Sequence, residues 1–286
     1  MIVYEGPNVE QIRYWNEVMG PQWAAVDGIL SAQIRPLGLR AMDRLDVRPG
    51  ERLLDIGCGG GETTAELARR VGSSGKVVGM DISEPLAERA RRAIAGFEHA
   101  EIRVADAQIA TIENEAFDGL FSRFGIMFFA QPEVAFANLR RALRPGGRIA
   151  FVCWRALAEN LWMTIPAMAV ANHLPIKAPD LNAPGPFAFA DDARVRRILE
   201  MAGFVQIQHE AIHEPLSVAG GEPLDAAVAL LMRLGPAGAA LRDANAGPEL
   251  LEAVRLSIRE AIAPYETPRG IAMPSSAWVV TAQRGD

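Results

Sequence analysis

The sequence predicts an α/β protein with a doubly wound, mainly parallel sheet that is covered by helices on both faces. From Glu51 onward, short apolar runs alternate with longer amphipathic segments, which is typical of successive βαβ units. The first run, Arg52–Ile56, ends in glycines, and the next two runs end at Asp81 and Asp106. Because the carboxyl ends of parallel strands share one edge, we expect these residues to meet where open α/β sheets bind ligands.

The strands and helices follow from this alternation in chain order. Residues 9–45 are expected to be helical with an interruption near Gly20-Pro21, and helices with a 3.6-residue apolar period follow the early strands. One such helix, from about Glu133 to Leu143, is stopped by Arg144-Pro-Gly-Gly147. The predicted strands are Arg52–Ile56, Lys76–Met80, Glu101–Ala105, Phe117–Phe121, Arg148–Trp154, one from Phe204, and Ala277–Ala282.

Two segments fall outside the alternation. Residues 156–190 are apolar and rich in proline, and residues 215–274 contain Ala/Leu-rich helices around Gly235-Pro236 and Gly247-Pro248. We interpret both as a mostly helical cap inserted after the late strands. The predicted organisation is an N-terminal helical segment (1–45), a cofactor-binding core (46–155), and the remaining core strands with their cap insertions (156–286).

Composition excludes several classes of function. The 286 residues carry a net charge of −6, which argues against an electrostatic grip on nucleic acid. The N-terminus lacks a signal-peptide pattern, and no apolar run approaches the roughly 20 residues of a membrane span. Cys58 and Cys153 have neither disulfide nor metal-ligand spacing. We therefore expect a cytoplasmic protein with no membrane association and no metal.

The strongest motif is the glycine-rich sequence from Asp55 to Gly61, placed between a strand and a helix. Glycine lets the backbone turn sharply and approach a ligand closely. A dinucleotide site would have Gly-x-Gly-x-x-Gly, but here Glu62 stands where the last glycine should be. A carboxylate at the start of a helix suits a ligand with an amino group better than a pyrophosphate. Asp81 is placed to accept ribose hydroxyls, as it would for NAD, and Asp106 to accept from an adenine amino group.

These pieces resemble the class I S-adenosylmethionine-dependent methyltransferases, with the UbiE-like small-molecule branch as a candidate placement. The matching motifs are LLDIGCGGGETT, VVGMDIS, VADAQ, FDGLFSRFGIMFF and LRRALRPGGRIAFV, in order, over about residues 45–154. The resemblance implies a Rossmann-like, seven-stranded sheet whose last strand runs antiparallel between its neighbours. It implies cofactor contacts from Asp55, Gly57, Cys58, Gly59, Asp81, Ile82, Asp106, Ala107 and Ser122, with Ser122 and Arg123 beside the methionine end and the acceptor.

The remaining candidates each have a structural alternative. His173 and Arg123 are candidate catalytic residues, although His173 has no identifiable partner and a surface role is the alternative. Trp154, Trp162 and Met163 either line an acceptor pocket or simply pack under the cap. His209-Glu-Ala-Ile-His213 spells a zinc-peptidase pattern, but the alternation around it predicts a strand, which separates two ligands too far for one ion.

The sequence thus predicts methyl transfer from S-adenosyl-L-methionine to an O, N, S or C nucleophile on a small molecule. Because the methyl group is already activated, the protein mainly has to hold donor and acceptor in line in a dry cavity. A nicotinamide-dependent oxidoreductase and a catalytically silent S-adenosylmethionine-binding protein are the alternatives. The acceptor, the methylated atom and the oligomeric state do not follow from the sequence.

Overall fold

A computed structural model describes residues 6–178 and 180–285 of the chain. The first five residues of the predicted N-terminal segment, Pro179 of the cap and Asp286 lie outside the described residues. The described part is an α/β fold of one mixed sheet with helices on both sides, as predicted. The boundaries proposed at residues 45 and 155 stay predictions.

The sheet has the strand order β3-β2-β1-β4-β5-β8-β6. Strands β1 to β5 are parallel, and β8 runs antiparallel between β5 and β6, as the resemblance implied. A two-residue strand, β7, pairs with β8 and makes eight strands where seven were predicted. The bounds are β1 Arg52–Ile56, β2 Lys76–Asp81, β3 Ala100–Val104, β4 Phe117–Arg123, β5 Leu143–Trp154, β6 Phe204–Val218, β7 Glu266–Thr267 and β8 Gly270–Arg284.

The helices of the N-terminal segment and the core follow the predicted pattern. A short helix and a π-helical turn lead into a long helix, and three further helices cover the first four strands. The bounds are α1 Val9–Arg13, the π-helical segment Tyr14–Val18, α2 Met19–Leu45, α3 Glu62–Val71, α4 Glu84–Ala93 and α5 Pro132–Ala142.

The break in the N-terminal helices lies earlier than predicted. The interruption is the π-helical segment Tyr14–Val18, whereas Gly20 and Pro21 lie in the first turn of α2. Pro21 is tolerated there because the first helical N–H groups have no intrahelical partner. Gly20 is needed because a Cβ at this position would lie 1.9 Å from the carbonyl oxygen of Trp15.

Strands β6 and β8 are longer than predicted and take residues from the expected cap. The last strand begins at Gly270 instead of Ala277, and β6 continues to Val218. Proline disfavours the interior of a strand. Here Pro215 and Pro274 face each other in the register, so their missing N–H groups fall at one point of the ladder.

The remaining helices are α6 Leu161–Ala171, α7 Asp192–Met201, α8 Leu224–Leu231, α9 Gly235–Asp243 and α10 Pro248–Ile262. Helix α7 packs on the sheet, whereas α6, α8, α9 and α10 form the cap. In the described ranges no single helix is long and apolar enough to cross a membrane. Helices α8 and α9, which are joined by a bend, would be long and apolar enough only when taken together, by length and composition alone. Their apolar residues are largely buried inside the protein.

Candidate functional site

A cavity of about 450 Å³ opens at the carboxyl edge of the sheet. One part, which we call the loop side, is formed by the glycine-rich loop, the ends of β2 and β3, and the N-terminal helices. The other part, the cap side, is formed by the ends of β4 and β5 together with the cap. Loop-side residues include Asn8, Gly57, Cys58, Gly59, Asp81, Ile82, Asp106 and Ala107, and cap-side residues include Phe124, Trp154, Trp162, Met163, Phe187, Leu234 and Pro236.

Glycine is required in the loop for reasons of backbone geometry. Gly57 has φ +64°, and a Cβ there would lie 2.7 Å from the Cα of Gly125. Gly61 has φ +84°, and its Cβ would lie 2.6 Å from the Cα of Ala90. Side chains at these positions would clash with backbone atoms, in addition to the strain of a positive φ. The loop is therefore held close to β4 and to α4.

Asp55 does not reach the cavity, contrary to the expectation that it binds the cofactor. Its side chain is fully buried, and Oδ2 accepts hydrogen bonds from the hydroxyls of Thr63 (2.6 Å) and Thr64 (2.7 Å). Burial raises the pKa of Asp55 to about 6, although the two hydroxyl donors oppose this shift. Asp55 therefore ties the end of β1 to the start of α3 and supports the loop from behind.

Asp81 lines the cavity and joins two of its loops. Its Oδ2 accepts from the N–H of Gly59 (2.8 Å), and its Oδ1 accepts from the N–H of Ser83 (2.9 Å). Burial raises the pKa of Asp81, while these backbone donors lower it. A carboxylate has about four acceptor sites, so capacity remains for the two hydroxyls of a ribose.

A second acidic corner of the loop side is formed by Asp106 and Asn8. The Oδ1 of Asp106 accepts from the N–H of Gln108 (2.9 Å), and the Asn8 side chain beside it lowers the pKa of Asp106. Burial is the main cause of the raised pKa of Asp106. Asp106 Oδ2 and Asn8 Oδ1 are both buried without a partner among the described residues. Both residues line the cavity, so this corner can offer an acceptor to the amino group of an adenine. Asn8 carries no motif and was not predicted.

Glu62 does not line the cavity, although the sequence suggested that it faces the amino group of a ligand. Its carboxylate is bound by Arg123 (Nη1–Oε2 2.5 Å) and by Arg35 (2.9 Å). Arg123 does line the cavity, and its other Nη donates to the hydroxyl of Ser31 (3.1 Å). Glu62 therefore orients the guanidinium of Arg123 at the cavity wall.

Asp27 on α2 is a carboxylate that does line the cavity, although sequence reasoning assigned it no role. It lies next to the glycine-rich loop, where a Cβ on Gly60 would lie 2.1 Å from its Oδ2. Burial raises the pKa of Asp27, and the positive charges of Arg89 and Arg123 oppose this shift. The only sequence signal for Asp27 is an acidic residue within the apolar run AAVDGIL.

The N-terminal helices close the loop side. The hydroxyl of Ser83 donates to the carbonyl oxygen of Trp15 (2.8 Å). Trp15 also packs edge-on against Trp23 (ring centroids 5.8 Å apart) and Phe128 (5.0 Å). All three rings line the cavity, so the two tryptophans cover the site as well as holding the helices to the domain.

The cap side is mainly aromatic and apolar, although Lys177 and Arg242 also line it. Phe124, directly after β4, has φ +61° and stacks on Trp154 with ring centroids 4.1 Å apart. A positive φ on a bulky residue is unusual and marks a position whose conformation the surrounding structure imposes. Trp162 lies 5.3 Å from Trp154, and Met163 lies against Gly235 at the start of α9. Trp154, Trp162 and Met163 thus come together at one wall.

Two predicted site residues lie elsewhere. Ser122 is fully buried and donates to the carbonyl oxygen of Ile56 (2.7 Å), so it holds β4 to β1. His173 is exposed, and its Nε2 lies 2.7 Å from the hydroxyl of Ser257 on α10. Neither residue lines the cavity, so the structure does not support His173 as a base near the acceptor. Cys58 does line the cavity, but burial raises its pKa well above the ordinary thiol value, which disfavours a reactive thiolate.

The zinc-peptidase pattern is part of a strand, as its alternation predicted. Both histidines lie on β6, where His209 faces Val280 and His213 faces Ser276. His213 interacts with Arg155 (2.9 Å) and with the hydroxyl of Ser276 (3.2 Å). His209 does not share these partners. Its ring packs edge-on against Trp278.

A doubly wound sheet with a glycine-rich loop and acidic residues at the carboxyl ends of its strands is the arrangement in which α/β proteins bind nucleoside-containing cofactors. Comparison with known proteins identifies the family within this class. Residues 54–151 match the family described as "Methyltransferase domain". The chain is 32% identical over 195 residues to the nocamycin O-methyltransferase of Saccharothrix syringae, covering 64% of this chain and 69% of that protein. It is 27% identical over 217 residues to a demethylmenaquinone methyltransferase of Staphylococcus aureus, covering 70% and 88%.

Two further matches show how far this similarity extends. An uncharacterized protein in transposon TN4556 of Streptomyces fradiae is 39% identical over 108 residues, and the chain spans only 31% of its length. The crystal structure of the YcgJ protein from Bacillus subtilis superposes with a TM-score of 0.56 at 14% identity, covering 87% of this chain and 98% of that one, which confirms the fold. The chain belongs to the S-adenosylmethionine-dependent methyltransferase family, and S-adenosyl-L-methionine is its cofactor. The comparisons support neither an oxidoreductase nor a silent binding protein.

Proposed function

We propose that this chain methylates a small molecule that is enclosed between the sheet edge and the cap. The observation that carries the proposal is the continuity of the loop side and the cap side in one cavity. A cofactor on the loop side and an acceptor on the cap side would share a chamber from which water is largely excluded. Positioning two reactants in such a chamber is a major source of rate enhancement.

The proposed cofactor contacts are distributed over the loop side. S-adenosylmethionine supplies an activated methyl group on a positively charged sulfur. Asp81 would accept the ribose hydroxyls, and Asp106 with Asn8 would accept the adenine amino group. Asp27, beside Gly60, would face the ammonium group of the methionine moiety. These assignments are supported by the position of each carboxylate on the cavity wall.

Arg123 is proposed as a positioning residue for the methionine carboxylate. Its guanidinium offers hydrogen-bond donors and no acceptor, which suits it to bind a carboxylate. Glu62 and Ser31 orient it at the wall. With His173 outside the cavity, methyl transfer would depend on an acceptor that is already nucleophilic and on its alignment by Trp154, Trp162 and Met163.

The acceptor class and the location of the protein are also proposals. Relatives named for nocamycin and demethylmenaquinone support a small-molecule acceptor. The net charge of −6 disfavours a nucleic acid acceptor. Cys58 and Cys153 are free and buried, which supports a cytoplasmic location because that compartment keeps thiols reduced.

The test is a transfer assay with radiolabelled S-adenosylmethionine and a cell extract that has been separated by size. We expect label in the small-molecule fraction, accompanied by S-adenosylhomocysteine, and neither product with the Asp81→Ala variant. Label only in the protein or nucleic acid fraction would overturn the small-molecule proposal. The absence of S-adenosylhomocysteine with every fraction would favour a binding protein without methyl transfer.

A further inference from the structure

The charged side chains that line the cavity are separated by sign. Its three carboxylates, Asp27, Asp81 and Asp106, all lie on the loop side. On the cap side no described carboxylate lines the wall, whereas two cations do, Lys177 and Arg242. Both belong to cap segments outside the motifs of the family resemblance, and neither takes part in the proposed cofactor contacts. The cap side is thus positive, although the chain as a whole has a net charge of −6.

The position of Arg242 follows from the geometry of α9. Pro236, Ala239 and Arg242 all line the cavity, and their spacing of three residues places them on one face of the helix. Arg242 is half-buried, and its Nη1 donates to the carbonyl oxygen of Arg233 (2.8 Å). A carbonyl oxygen carries no full charge, and no carboxylate in residues 6–178 and 180–285 forms an ion pair with Arg242. The hydrogen bond therefore orients the guanidinium without neutralising it.

Lys177 reaches the cap side from the connection between α6 and α7. Its neighbour Ala178, and Phe187 from the same connection, also line the wall. Lys177 is exposed and forms no hydrogen bond or ion pair with any residue that the structure describes. Arg123, the third cation of the wall, is by contrast bound by Glu62. Lys177 and Arg242 are therefore the cations of the wall whose charge no described carboxylate offsets.

We infer that the methyl acceptor carries an anionic group, a carboxylate or a phosphate, which Lys177 and Arg242 attract to the cap side. This inference rests on the proposed function. Lysine and arginine offer only hydrogen-bond donors, and their charge-assisted bonds to either anion are stronger than neutral ones. A cleft lined by one sign of charge also concentrates ligands of the opposite sign. The rings of Trp154, Trp162 and Phe187 on the same side match an apolar body that carries this group.

The inference is tested with two probes of nearly equal shape, 2-naphthoate and 2-naphthamide, and with 2-naphthyl phosphate as a second anion. Their binding to protein saturated with S-adenosylhomocysteine is measured by equilibrium dialysis at neutral pH. We expect the better anion, which identifies the group, to bind at least about tenfold more tightly than the amide, and added salt to reduce this preference. Lys177→Gln and Arg242→Gln should each weaken its binding by at least about threefold. The double variant should lose the preference and keep its affinity for the amide.

Arg255→Gln is the matched control, because Arg255 is a cation of the cap that does not line the cavity and pairs with the exposed Glu252 (2.8 Å). It makes the same change in net charge as either cavity variant and should retain the preference for the anion. Equal binding of the anions and the amide to the wild type, no binding of any probe, or an unchanged preference in the double variant would overturn the inference. Equal losses in Arg255→Gln and in the cavity variants would overturn it as well.

A second experiment separates this inference from the proposed function. The small-molecule fraction of the cell extract is passed over an anion-exchange resin before the transfer assay. We expect the acceptor to be absent from the flow-through and to be recovered when the resin is eluted with salt. Full acceptor activity in the flow-through would overturn the inference and leave the proposed function intact. No labelled small molecule from the untreated fraction, or no binding of S-adenosylhomocysteine in the dialysis cells, would instead count against the proposed function.

Discussion

The side chain of Asn16 binds the loop that follows β2 by donating from Nδ2 to the carbonyl oxygen of Ile82 over 2.8 Å. The same side chain accepts, through Oδ1, from the N–H of Glu84 at the start of α4 (2.9 Å). Asn16 lies in the π-helical segment and is buried. The π-helical segment thus places the Asn16 side chain where it holds Ile82 and Glu84, directly after Asp81 at the end of β2.

We predict that Asn16→Ala weakens binding of S-adenosylhomocysteine about tenfold. The variant leaves the Ile82 carbonyl and the Glu84 N–H without this partner, and each buried unpaired group costs about 1–3 kcal/mol. Calorimetry measures the affinity. Asn160→Ala is the matched control, because Asn160 is buried and bonds the carbonyl oxygen of Ser276 (3.0 Å) away from this loop. The control should lower the melting temperature without changing affinity. Equal affinity losses in both variants would contradict a specific role for Asn16.

Asp81→Ala should weaken binding of S-adenosylhomocysteine more strongly than Asn16→Ala. The substitution removes the proposed acceptor of the ribose hydroxyls, a charge-assisted contact worth roughly 1.5–3 kcal/mol. It also frees the N–H of Gly59, which shapes the loop. Asp81→Asn separates these effects, since its amide oxygen can still accept one hydrogen bond. A folded Asp81→Ala protein with wild-type affinity would show that the ribose lies elsewhere.

The buried carboxyl of Asp55 should make the fold less stable as the pH rises from about 4 to about 6. Its folded-state pKa is raised from 3.8 to about 6, so the folded protein holds a proton that the unfolded chain has already lost. Relative to the wild type, Asp55→Asn should gain about 2 kcal/mol of unfolding free energy between pH 4.5 and pH 7. Urea unfolding at the two pH values measures this difference.

Asp46→Asn is the control for this pH dependence. Arg48 lowers the pKa of the exposed Asp46, so its stabilising contribution is present above its ordinary pKa and is lost as the pH falls. This variant should therefore lose stability relative to the wild type at pH 7 and not at acid pH. The same trend in both variants would mean that burial of Asp55 does not cause the effect.

Met163→Ala should alter acceptor turnover while leaving the affinity for S-adenosylhomocysteine within about twofold. Met163 contacts Gly235 on the cap side, so its removal enlarges the acceptor chamber and not the loop side. The enlarged cavity should also cost about 2–5 kcal/mol of stability, which thermal unfolding monitors. KM and kcat for the acceptor found in the extract assay provide the activity measurement. Parallel losses of cofactor affinity and turnover would instead make this part of the cap a cofactor lid.

The sequence by itself determined the doubly wound sheet, the glycine-rich loop and the two strand-end acids Asp81 and Asp106. These features are local: a strand, a turn that needs positive φ at Gly57, and a helix follow one another within a few residues. Parallel strands then bring their carboxyl ends to one edge, whatever the rest of the chain does. The antiparallel position of the last strand came from the family resemblance.

Only the tertiary structure decided which side chains near this edge face the cavity. Asp55 and Glu62 belong to the motif, yet hydroxyl donors hold the first inside the core and arginines bind the second. Asp27 and Asn8, which come from the N-terminal helical segment, line the cavity although neither belongs to the motif. The direction of a polar side chain depends on the donors and charges that packing places beside it. The residues around Asp27 in the sequence do not indicate that its carboxylate lies next to Gly60.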